Sequence, residues 1–430
     1  MVGMELEVAG IGRIAGAKIR LDGVTVIAGE NNTGKTTIGK AALALIDGRF
    51  DLDRRMTDAT RRTIQNAVQD GMIPADEDET WSQRRQTILQ ASERTDRFLE
   101  SPDMSVEDFL TALCDDGLRL QDIDAVRTQI EAAMNLKLTE YAASQIDLRL
   151  SSLFHEDALS RVDGYGDYHR LALHTDDGAV TSMSWAASDE HVFDGDSFAG
   201  PNAVWVDTPA LIENLDGMFR RGLYGRFRGD DRHVAMQAIM DAEYNAAEEE
   251  WHPDDRTRGI IRAIEQITPV SLERRPDMRG RQFHDQTLDV RDGEALKLHN
   301  ASMGVKSLLL LHRLVSTGVV RAGTVLILDE PEIHLHPKWQ LSYAKILMML
   351  AKQMDVKVLV TTHSPYFLDA LHVYMEREGM LQRFHVYLPE SDAHGMDVFN
   401  EADETQQAAY MMRLAEPFDE LDRVRDGMVK

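Results

Sequence analysis

Hydrophobic positions along the chain change their spacing twice, which predicts two sheet-forming ends around a helical middle. Near the start, "GVTVIAG" at residues 23–29 is a short apolar run rich in β-branched residues, typical of a buried strand, and "IGKAALALI" at 38–46 has helical spacing. From about residue 50 to 155, apolar residues recur three and four positions apart, as in "VEDFLTALCDDGLRL". This middle part is therefore predicted to be helical.

The last part of the chain returns to strands that alternate with helices. "TVLILDE" at 324–330 and "VKVLVTTHS" at 356–364 are continuous apolar runs, and the helical pattern "KWQLSYAKILMMLAKQM" separates them. Strands of this kind are buried on both faces, as in a parallel sheet between layers of helices. The chain is therefore predicted to be an α/β protein, with one sheet-containing head assembled from both ends.

These patterns divide the chain into three segments. Residues 1–50 and 271–430 are expected to form the two parts of the head, and residues 51–270 a mainly helical insertion between them. Within the insertion, "YHRLALHTDDGAVTSMSW" has two alternating runs around an Asp-Gly pair, which predicts a β-hairpin near residues 165–190. The insertion has no long heptad pattern, so an extended coiled coil is not expected.

Composition and charge restrict the cellular location and the partners that are expected for the protein. Its 430 residues carry a formal net charge of −26, which argues against a surface covered with nonspecific nucleic-acid contacts. The N-terminus lacks the basic region and apolar core of a signal peptide, and no apolar run reaches the roughly 18 residues of a transmembrane helix. The single cysteine, Cys114, cannot form an intrachain disulfide. We therefore expect a cytoplasmic protein without a membrane partner.

The predicted strand "GVTVIAG" leads into "GENNTGKT", residues 29–36, which fits the phosphate-loop pattern G-x-x-x-x-G-K-[ST]. Backbone N–H groups of such a loop surround an anion, and the following helix adds the positive end of its dipole. Lys35 is predicted to reach the β- and γ-phosphates of ATP, and the Thr36 hydroxyl to bind Mg²⁺. The alternative is a glycine-rich turn with an unrelated lysine. The predicted ATP-binding residues of this segment are Gly29, Asn31, Asn32, Thr33, Gly34, Lys35, Thr36 and Thr37.

Two adjacent carboxylates, Asp329 and Glu330, end the apolar run "LILDE". Burial side by side would strongly raise the pKa of one of them unless a cation were close. A Mg²⁺-nucleotide would supply that cation. Asp329 is therefore predicted to hold Mg²⁺, and Glu330 to orient and deprotonate the attacking water. The alternative is a pair of residues that caps the strand end.

Two further segments fit the same chemistry. His363 ends the next apolar strand, where its imidazole could donate a hydrogen bond to the γ-phosphate; a purely structural hydrogen bond is the alternative. In "NASMGVKSLLLL", Ser302 and Gly304 stand at the start of a predicted helix, where a hydroxyl and backbone N–H groups could form a second anion site. A simple helix N-cap is the alternative for that segment.

In this order, the four segments resemble those of the ABC-type ATPase heads of the SMC, Rad50 and OLD (overcoming-lysogenization-defect) group. The resemblance covers residues 1–48 and 283–372, and the part between them matches only as an insertion. The motifs that carry it are Walker A at 29–36, the core of the ABC signature at 302–304, Walker B at 326–330, the D-loop region at 332–337 and the switch histidine at His363.

The resemblance implies a Mg²⁺-dependent ATPase head in which Glu330 and His363 are catalytic. Two heads would form a homodimer, alone or within a larger oligomer, around two ATP molecules. In such a dimer, Ser302 and Gly304 of one subunit would contact the ATP that the other subunit holds.

The chain also departs from these relatives. Its signature lacks the paired glycines of the LSGGQ sequence that membrane transport cassettes carry, and no Q-loop glutamine can be placed. OLD nucleases have a C-terminal TOPRIM domain, whereas only about 60 residues follow "TTHSPYFLDAL" here. What remains resembles the compact AAA-family ATPases of bacterial antiphage systems, such as the Septu and PARIS types, which act with a separate effector protein.

The sequence leaves three functions open. The first is a switch ATPase that controls a separate, nuclease-like effector in antiphage defence. The second is a RecF-like or Rad50-like ATPase of DNA repair or chromosome maintenance, and the third is a transport cassette, which the signature and the long insertion disfavour. Residues 219–232, "FRRGLYGRFRGDDR", interleave arginine with aromatic residues and could bind DNA or RNA, although a solvated helix face or a protein-docking patch is favoured.

Overall fold

The computed structural model of the protein describes residues 3–73, 81–101, 103–154, 168–186, 191–195, 202–214, 239, 252–268, 270–276, 282–290 and 295–428. The arginine-rich segment at 219–232 lies outside these residues. Among the helices that the structure describes, none has both the length and the apolar character needed to cross a bilayer.

The described residues contain both parallel and antiparallel strands, and helices that connect them. The strands are β1 (Met4–Ala9), β2 (Ile14–Leu21), β3 (Val24–Ala28), β4 (Tyr168–Thr175), β5 (Val180–Ala186), β6 (His191–Gly195), β7 (Ala203–Val206), β8 (Val270–Pro276), β9 (Gln282–Val290), β10 (Ala295–Lys297), β11 (Val325–Asp329), β12 (Lys357–Thr362), β13 (Phe384–Ser391) and β14 (Asp397–Glu401). The α-helices are α1 (Lys35–Gly48), α2 (Leu52–Gly71), α3 (Trp81–Glu100), α4 (Val106–Asp115), α5 (Ile123–Met134), α6 (Leu138–Phe154), α7 (Asp255–Ile267), α8 (Met303–Ser316), α9 (Pro337–Met354), α10 (Pro365–Arg377) and α11 (Glu404–Met428).

Eleven of these strands form one mixed sheet in the order β6-β5-β4-β1-β2-β14-β13-β3-β12-β11-β7. The strands from β13 to β7 in this order run parallel to one another, and those from β6 to β2 run antiparallel. The remaining three strands, β8, β9 and β10, form a small antiparallel sheet. The molecule is therefore an α/β protein with a large mixed sheet, the fold class that the sequence predicts.

The parallel strands are buried on both faces because helices cover each side. Leu326 and Leu328 of β11 belong to the main hydrophobic core, together with buried residues of α8, α9 and α10. Between them, Ile327 faces α1, where a Cβ added to Gly39 would lie 3.2 Å from its Cγ2. Continuous apolar strands such as "VLILD" arise in this way, since neither face is left to water.

Residues 51–144 form a compact helical unit of their own. Its core contains Phe98 and Phe109, whose rings stack with their centroids 4.5 Å apart. Helix α4 begins with a capping box, in which Ser105 accepts a hydrogen bond from the Asp108 N–H and the Asp108 carboxylate accepts one from the Ser105 N–H. The helical periodicity of this part of the sequence therefore reflects real helices around a small core.

The structure places the boundary of this unit differently from the expected insertion at 51–270. The compact unit ends at Ser144, and residues 145–430 group with residues 1–50. The hairpin near 165–190 is β4 and β5, but β4 also pairs with β1 and so extends the large sheet. This pairing joins residues more than 150 positions apart, and a local hydrophobic pattern does not reveal such a partner.

Candidate active site

Three polar segments meet at one edge of the large sheet because the strands that precede them are parallel neighbours. β12 lies between β3 and β11 and runs parallel to both. The loop 29–34 follows β3, Glu330 follows β11 and His363 follows β12. The carboxyl ends of parallel strands are where α/β proteins bind ligands, so the topology alone places these segments in one candidate site.

The loop 29–34 curls tightly before α1 begins. Asn32 and Gly34 have left-handed backbone conformations, with φ of 66° and 85°. Glycine is favoured at position 34, because this φ strains any residue with a Cβ and a Cβ there would also lie 2.5 Å from Ile14 Cδ1. The first turn of α1 leaves N–H groups without intrahelical acceptors, which suits an anion held inside the loop.

The remaining loop residues either face solvent or support the curl. Asn31 and Asn32 are exposed. The Thr33 hydroxyl donates to the Glu30 carbonyl at 2.9 Å and so closes the loop from within. Thr37, in the first turn of α1, packs beside the β1–β2 turn. The predicted ATP-binding residues thus include both accessible groups and groups that hold the loop in shape.

Lys35 is drawn into the loop, and its side chain is only 5% exposed. Its Nζ donates to the carbonyl oxygens of Gly29 at 3.0 Å and Glu30 at 2.8 Å. The same Nζ lies 3.5 Å from Oε1 of Glu330. The lysine therefore joins the loop to the strand end that carries the two adjacent carboxylates.

Thr36 and Asp329 form an oxygen-rich pair next to this lysine. The Thr36 hydroxyl lies 2.9 Å from one carboxylate oxygen of Asp329 and 3.1 Å from the other, and the Thr361 hydroxyl donates to the same carboxylate. Burial raises the pKa of Asp329, and the hydrogen bonds from Thr361 and Thr36 only partly offset this effect. Hydroxyl and carboxylate oxygens are the ligands that Mg²⁺ prefers, so this donor set fits the predicted metal.

Glu330 adopts a left-handed backbone conformation, with φ of 47°, which is uncommon for a residue with a side chain. Its N–H donates to the carbonyl of Thr361 at 3.1 Å, and this bond holds the turn. Its Oε1 lies 3.1 Å from Nδ1 of His363, and the His363 side chain is exposed. Backbone strain of this kind is found at functional sites, where it aims a side chain that regular structure would turn away.

Ser302 and Gly304 stand at the N-terminus of α8, as the sequence predicts. Ser302 is exposed and is the N-cap, since its hydroxyl accepts a hydrogen bond from the Val305 N–H at 3.4 Å. Gly304 is buried against the turn after β11, where an added Cβ would lie 2.8 Å from the His334 carbonyl oxygen. Within one subunit, therefore, the glycine permits close packing and the serine caps the helix.

The structure also brings in a residue that the sequence does not single out. Asp207 follows β7, which pairs with β11 in a register that sets Val206 opposite Leu328. Asp207 therefore reaches the same sheet edge as Asp329, and both line a cavity of about 110 Å³ together with Glu330. The available signal was the strand "AVWV" ending in an acidic residue, the same pattern as "LILD".

Parallel strand order, a glycine-containing loop that leads into a helix, and a lysine beside two carboxylates are features that P-loop ATPases share. Residues 211–369, just over a third of the chain, match the family model described as "AAA domain, putative AbiEii toxin, Type IV TA system". The matched segment contains Ser302, Glu330 and His363, and it begins after the phosphate loop.

The chain is also similar to solved structures of SMC heads, each at 11% identity. An SMC head bound to the C-winged helix domain of ScpA has a TM-score of 0.46, with 94% of this chain and 98% of that chain covered. The SMC head domain from Thermotoga maritima has a TM-score of 0.40, with coverage of 94% and 100%. The Pyrococcus furiosus SMC head with an extended coiled coil, bound to the C-terminal domain of ScpA, has a TM-score of 0.45, with coverage of 99% and 100%.

We predict that Asp329→Asn stabilises the nucleotide-free protein at neutral pH. Folding raises the pKa of Asp329. The protein is therefore more stable at a pH below the pKa of Asp329 in the unfolded chain, and this extra stability is lost as the pH rises through the pKa of Asp329 in the folded protein. Asparagine is neutral throughout, so the variant should gain about 1 kcal/mol at neutral pH. This gain in stability should vanish at a pH low enough to protonate Asp329 in the unmodified protein. Thermal denaturation of both proteins, from neutral pH down to that low pH, measures the difference.

The matched control is Asp422→Asn, which neutralises an exposed aspartate paired with Arg425 on α11. It should leave stability unchanged within about 0.5 kcal/mol. An equal gain in the control, or a loss of stability in Asp329→Asn at neutral pH, would show that burial of Asp329 is not the cause.

Proposed function

We propose that the protein binds and hydrolyses ATP with Mg²⁺, dimerises around the nucleotide, and in this way controls a separate effector protein in bacterial antiphage defence. The proposed ATPase activity rests on the contacts of Glu330 with two other segments of the chain. Its carboxylate lies 3.5 Å from Lys35 of the phosphate loop and 3.1 Å from His363 of the neighbouring strand end.

The loop 29–34 and Lys35 would bind the phosphates. Loop N–H groups and the N-terminus of α1 favour an anion, and Lys35 adds a mobile positive charge beside them. Lys35 now donates to two loop carbonyls, and its contact with Glu330 is longer than a hydrogen bond. A phosphate oxygen is a better partner for an ammonium group than a carbonyl oxygen, so Lys35 would exchange these bonds for the β- and γ-phosphates.

Thr36 and Asp329 would hold Mg²⁺, either directly or through water. When bound, the ion neutralises negative charge that develops on the phosphate oxygens. The Thr36 hydroxyl and the Asp329 carboxylate are already hydrogen-bonded, and the Thr361 hydroxyl also donates to this carboxylate. Burial raises the pKa of Asp329, and a cation bound beside its carboxylate would lower it again.

Glu330 would act as the general base, and His363 would position it. The left-handed backbone turns the Glu330 carboxylate towards the loop, within reach of a water beside the γ-phosphate. Such a base accepts a proton from the attacking water on Oε1 or Oε2. His363 lies at the exposed rim of the site, where it could donate a hydrogen bond to a γ-phosphate and register its loss.

The dimer rests on the resemblance to ABC-type heads and on the exposure of Ser302. An exposed N-cap can accept an anion from another molecule. Ser302 and Gly304 of one subunit would then contact the γ-phosphate of the ATP that the other subunit holds. Hydrolysis would release the dimer or a protein bound to it.

Control of an effector in a defence system is the favoured cellular role. The chain resembles compact antiphage ATPases that act with a separate effector, and the matched family model is described in terms of a toxin and a type IV toxin–antitoxin system. A RecF-like or Rad50-like repair ATPase is the alternative. A neighbouring nuclease or TOPRIM gene would favour defence, and a recombination operon would favour repair. Both roles fit a cytoplasmic protein.

We predict that Glu330→Gln keeps ATP binding but lowers hydrolysis by roughly 10²- to 10⁴-fold, because glutamine has the same shape and cannot accept the proton. The ATP-bound dimer should then accumulate in analytical ultracentrifugation. Lys35→Ala should instead abolish ATP binding in calorimetry. Glu378→Gln, at an exposed pair with Lys352, is the matched control and should hydrolyse ATP at the parental rate. Parental hydrolysis by Glu330→Gln would exclude it as the base.

We predict that Ser302→Arg leaves ATP binding by single subunits intact but blocks ATP-dependent dimerisation and hydrolysis. A bulky side chain would fill the gap that faces the phosphate of the second subunit. Ser151→Arg, at an exposed serine of α6, is the matched control and should dimerise normally.

Mixing Ser302→Arg with Lys35→Ala sharpens this prediction. A heterodimer of the two has one composite site with both defects and one with neither. Hydrolysis should partly return, or, if both sites must act together, ATP-dependent dimerisation should still be measurable. Full hydrolysis by Ser302→Arg as a monomer would contradict the proposed dimer.

A further inference from the structure

Glu332 has a buried carboxyl group at the candidate site. This group has no role in the ATP hydrolysis proposed above. It is 2% exposed, although it lies only two residues beyond Glu330. Its Oε1 accepts a hydrogen bond from the Thr362 hydroxyl, and its Oε2 has no hydrogen-bond partner. Among the described residues, no lysine, arginine or histidine forms an ion pair with it. A buried polar atom left in this way costs roughly 1–3 kcal/mol, so it calls for an explanation.

The hydrogen bond to Thr362 connects Glu332 to the end of β12. The Thr362 hydroxyl also accepts a hydrogen bond from the Ser364 N–H at 3.0 Å. Thr362 and Ser364 flank His363, so this one hydroxyl holds both sides of the histidine. Loss of the Glu332 carboxyl would free the hydroxyl to rotate and would loosen the backbone that carries the imidazole.

The backbone of Glu332 is anchored on its other side to α9. The Gln340 side-chain amide donates to the carbonyl oxygens of Glu332 at 3.2 Å and Leu335 at 3.1 Å. The turn at residues 331–336 is therefore attached to α9 by Gln340 and to β12 by the Glu332 carboxyl. Because the turn follows Glu330 directly, its position also sets the direction in which Glu330 points.

The same turn reaches towards α8. The His334 carbonyl oxygen packs against Gly304, at a distance that excludes a Cβ. Tyr343 of α9 is buried, and its hydroxyl is hydrogen-bonded to Ser307 of α8. Hydrogen bonds thus connect the strand end of His363 to Glu332 and its turn, and the turn packs on the helix whose N-terminus carries Ser302.

Burial raises the pKa of Glu332, and the Thr362 hydrogen bond offsets this only in part. The charged form of this carboxyl is therefore less favourable than it is for a glutamate in water. Glu330 differs from Glu332 in exposure and in partners, because its side chain is partly exposed and contacts both Lys35 and His363. Two glutamates in one short turn thus have environments suited to different tasks.

We propose that Glu332 is a positioning residue: through Thr362 it fixes His363 relative to Glu330 and ties both to the turn that packs on α8. This inference rests on the proposed ATPase function. It assigns Glu332 no contact with ATP and no proton transfer. It predicts that the carboxyl can be replaced by a neutral group that accepts the same hydrogen bond, but not by a group that cannot.

The test compares Glu332→Gln, Glu332→Ala, Thr362→Val and Thr362→Ser in the full-length protein. Glu332→Gln and Thr362→Ser keep the hydrogen bond and should hydrolyse ATP within about threefold of the parental kcat, a change of under about 0.7 kcal/mol. Glu332→Ala and Thr362→Val remove it and should lower kcat roughly 10- to 100-fold, as misplacement of catalytic groups does. The affinity for ATP measured by calorimetry should stay unchanged in all four.

Two further measurements separate positioning from a general loss of structure. The double variant Glu332→Ala with Thr362→Val should lose no more activity than either single variant, because both remove one contact. In protein selectively labelled at histidine, the side-chain NMR signal of His363 without nucleotide should shift in Glu332→Ala and stay in place in Glu332→Gln. If Glu332→Ala fails to fold, Thr362→Val, which removes the same hydrogen bond, takes its place in both the kcat and the NMR comparison with Glu332→Gln.

Parental kcat in Glu332→Ala and Thr362→Val, additive losses in the double variant, or inactivity of Glu332→Gln would overturn the inference. The last result would mean that the negative charge is required. An absence of ATP hydrolysis by the unmodified protein would instead overturn the proposed function, so the two failures are distinguishable.

Discussion

Two adjacent carboxylates at the end of a buried strand are the constraint on which the rest of this structure depends. β11 is apolar along its length, and it ends with Asp329 and Glu330 at a sheet edge partly shielded from water. Carboxylates in such a place need hydrogen bonds or a cation. Helix α1, which follows β3, and the C-terminal end of β12 supply these partners. Thr36 and Thr361 contact the first carboxylate, and Lys35 and His363 contact the second.

This constraint explains local features that would otherwise be unfavourable. Glu330 has a left-handed backbone, which separates its side chain from that of Asp329 and aims it at Lys35. Lys35 is almost fully buried, although it satisfies its ammonium group mainly with carbonyl oxygens. Backbone strain and buried charge of this kind are tolerated at ligand-binding sites, because the bound ligand supplies the missing charge and stabilises the folded protein. Under the proposed function, a nucleotide and its metal ion would supply that charge.

The sequence was sufficient to predict the groups that follow directly from strand ends. "GENNTGKT", "LILDE" and "TTHS" each combine a buried strand with a polar end, so their convergence follows once the strands are parallel neighbours. The features that the sequence could not reveal depend on contacts between residues that are far apart along the chain. Asp207 joins the site only because β7 pairs with β11, and β4 joins the sheet only because it pairs with β1. The packing of Gly304 on His334, and the burial of Glu332, likewise depend on how a turn meets a helix.

The measurement that tests the central claim most directly is calorimetric titration of the unmodified protein with ATP, once with Mg²⁺ and once with a chelator. If Thr36 and Asp329 bind the metal beside a loop that binds the phosphates, ATP should bind in both cases, and at least about tenfold more tightly with Mg²⁺, a difference of about 1.4 kcal/mol. Equal affinity under the two conditions, or no binding under either, would contradict the assignment of these carboxylates to a Mg²⁺-nucleotide site.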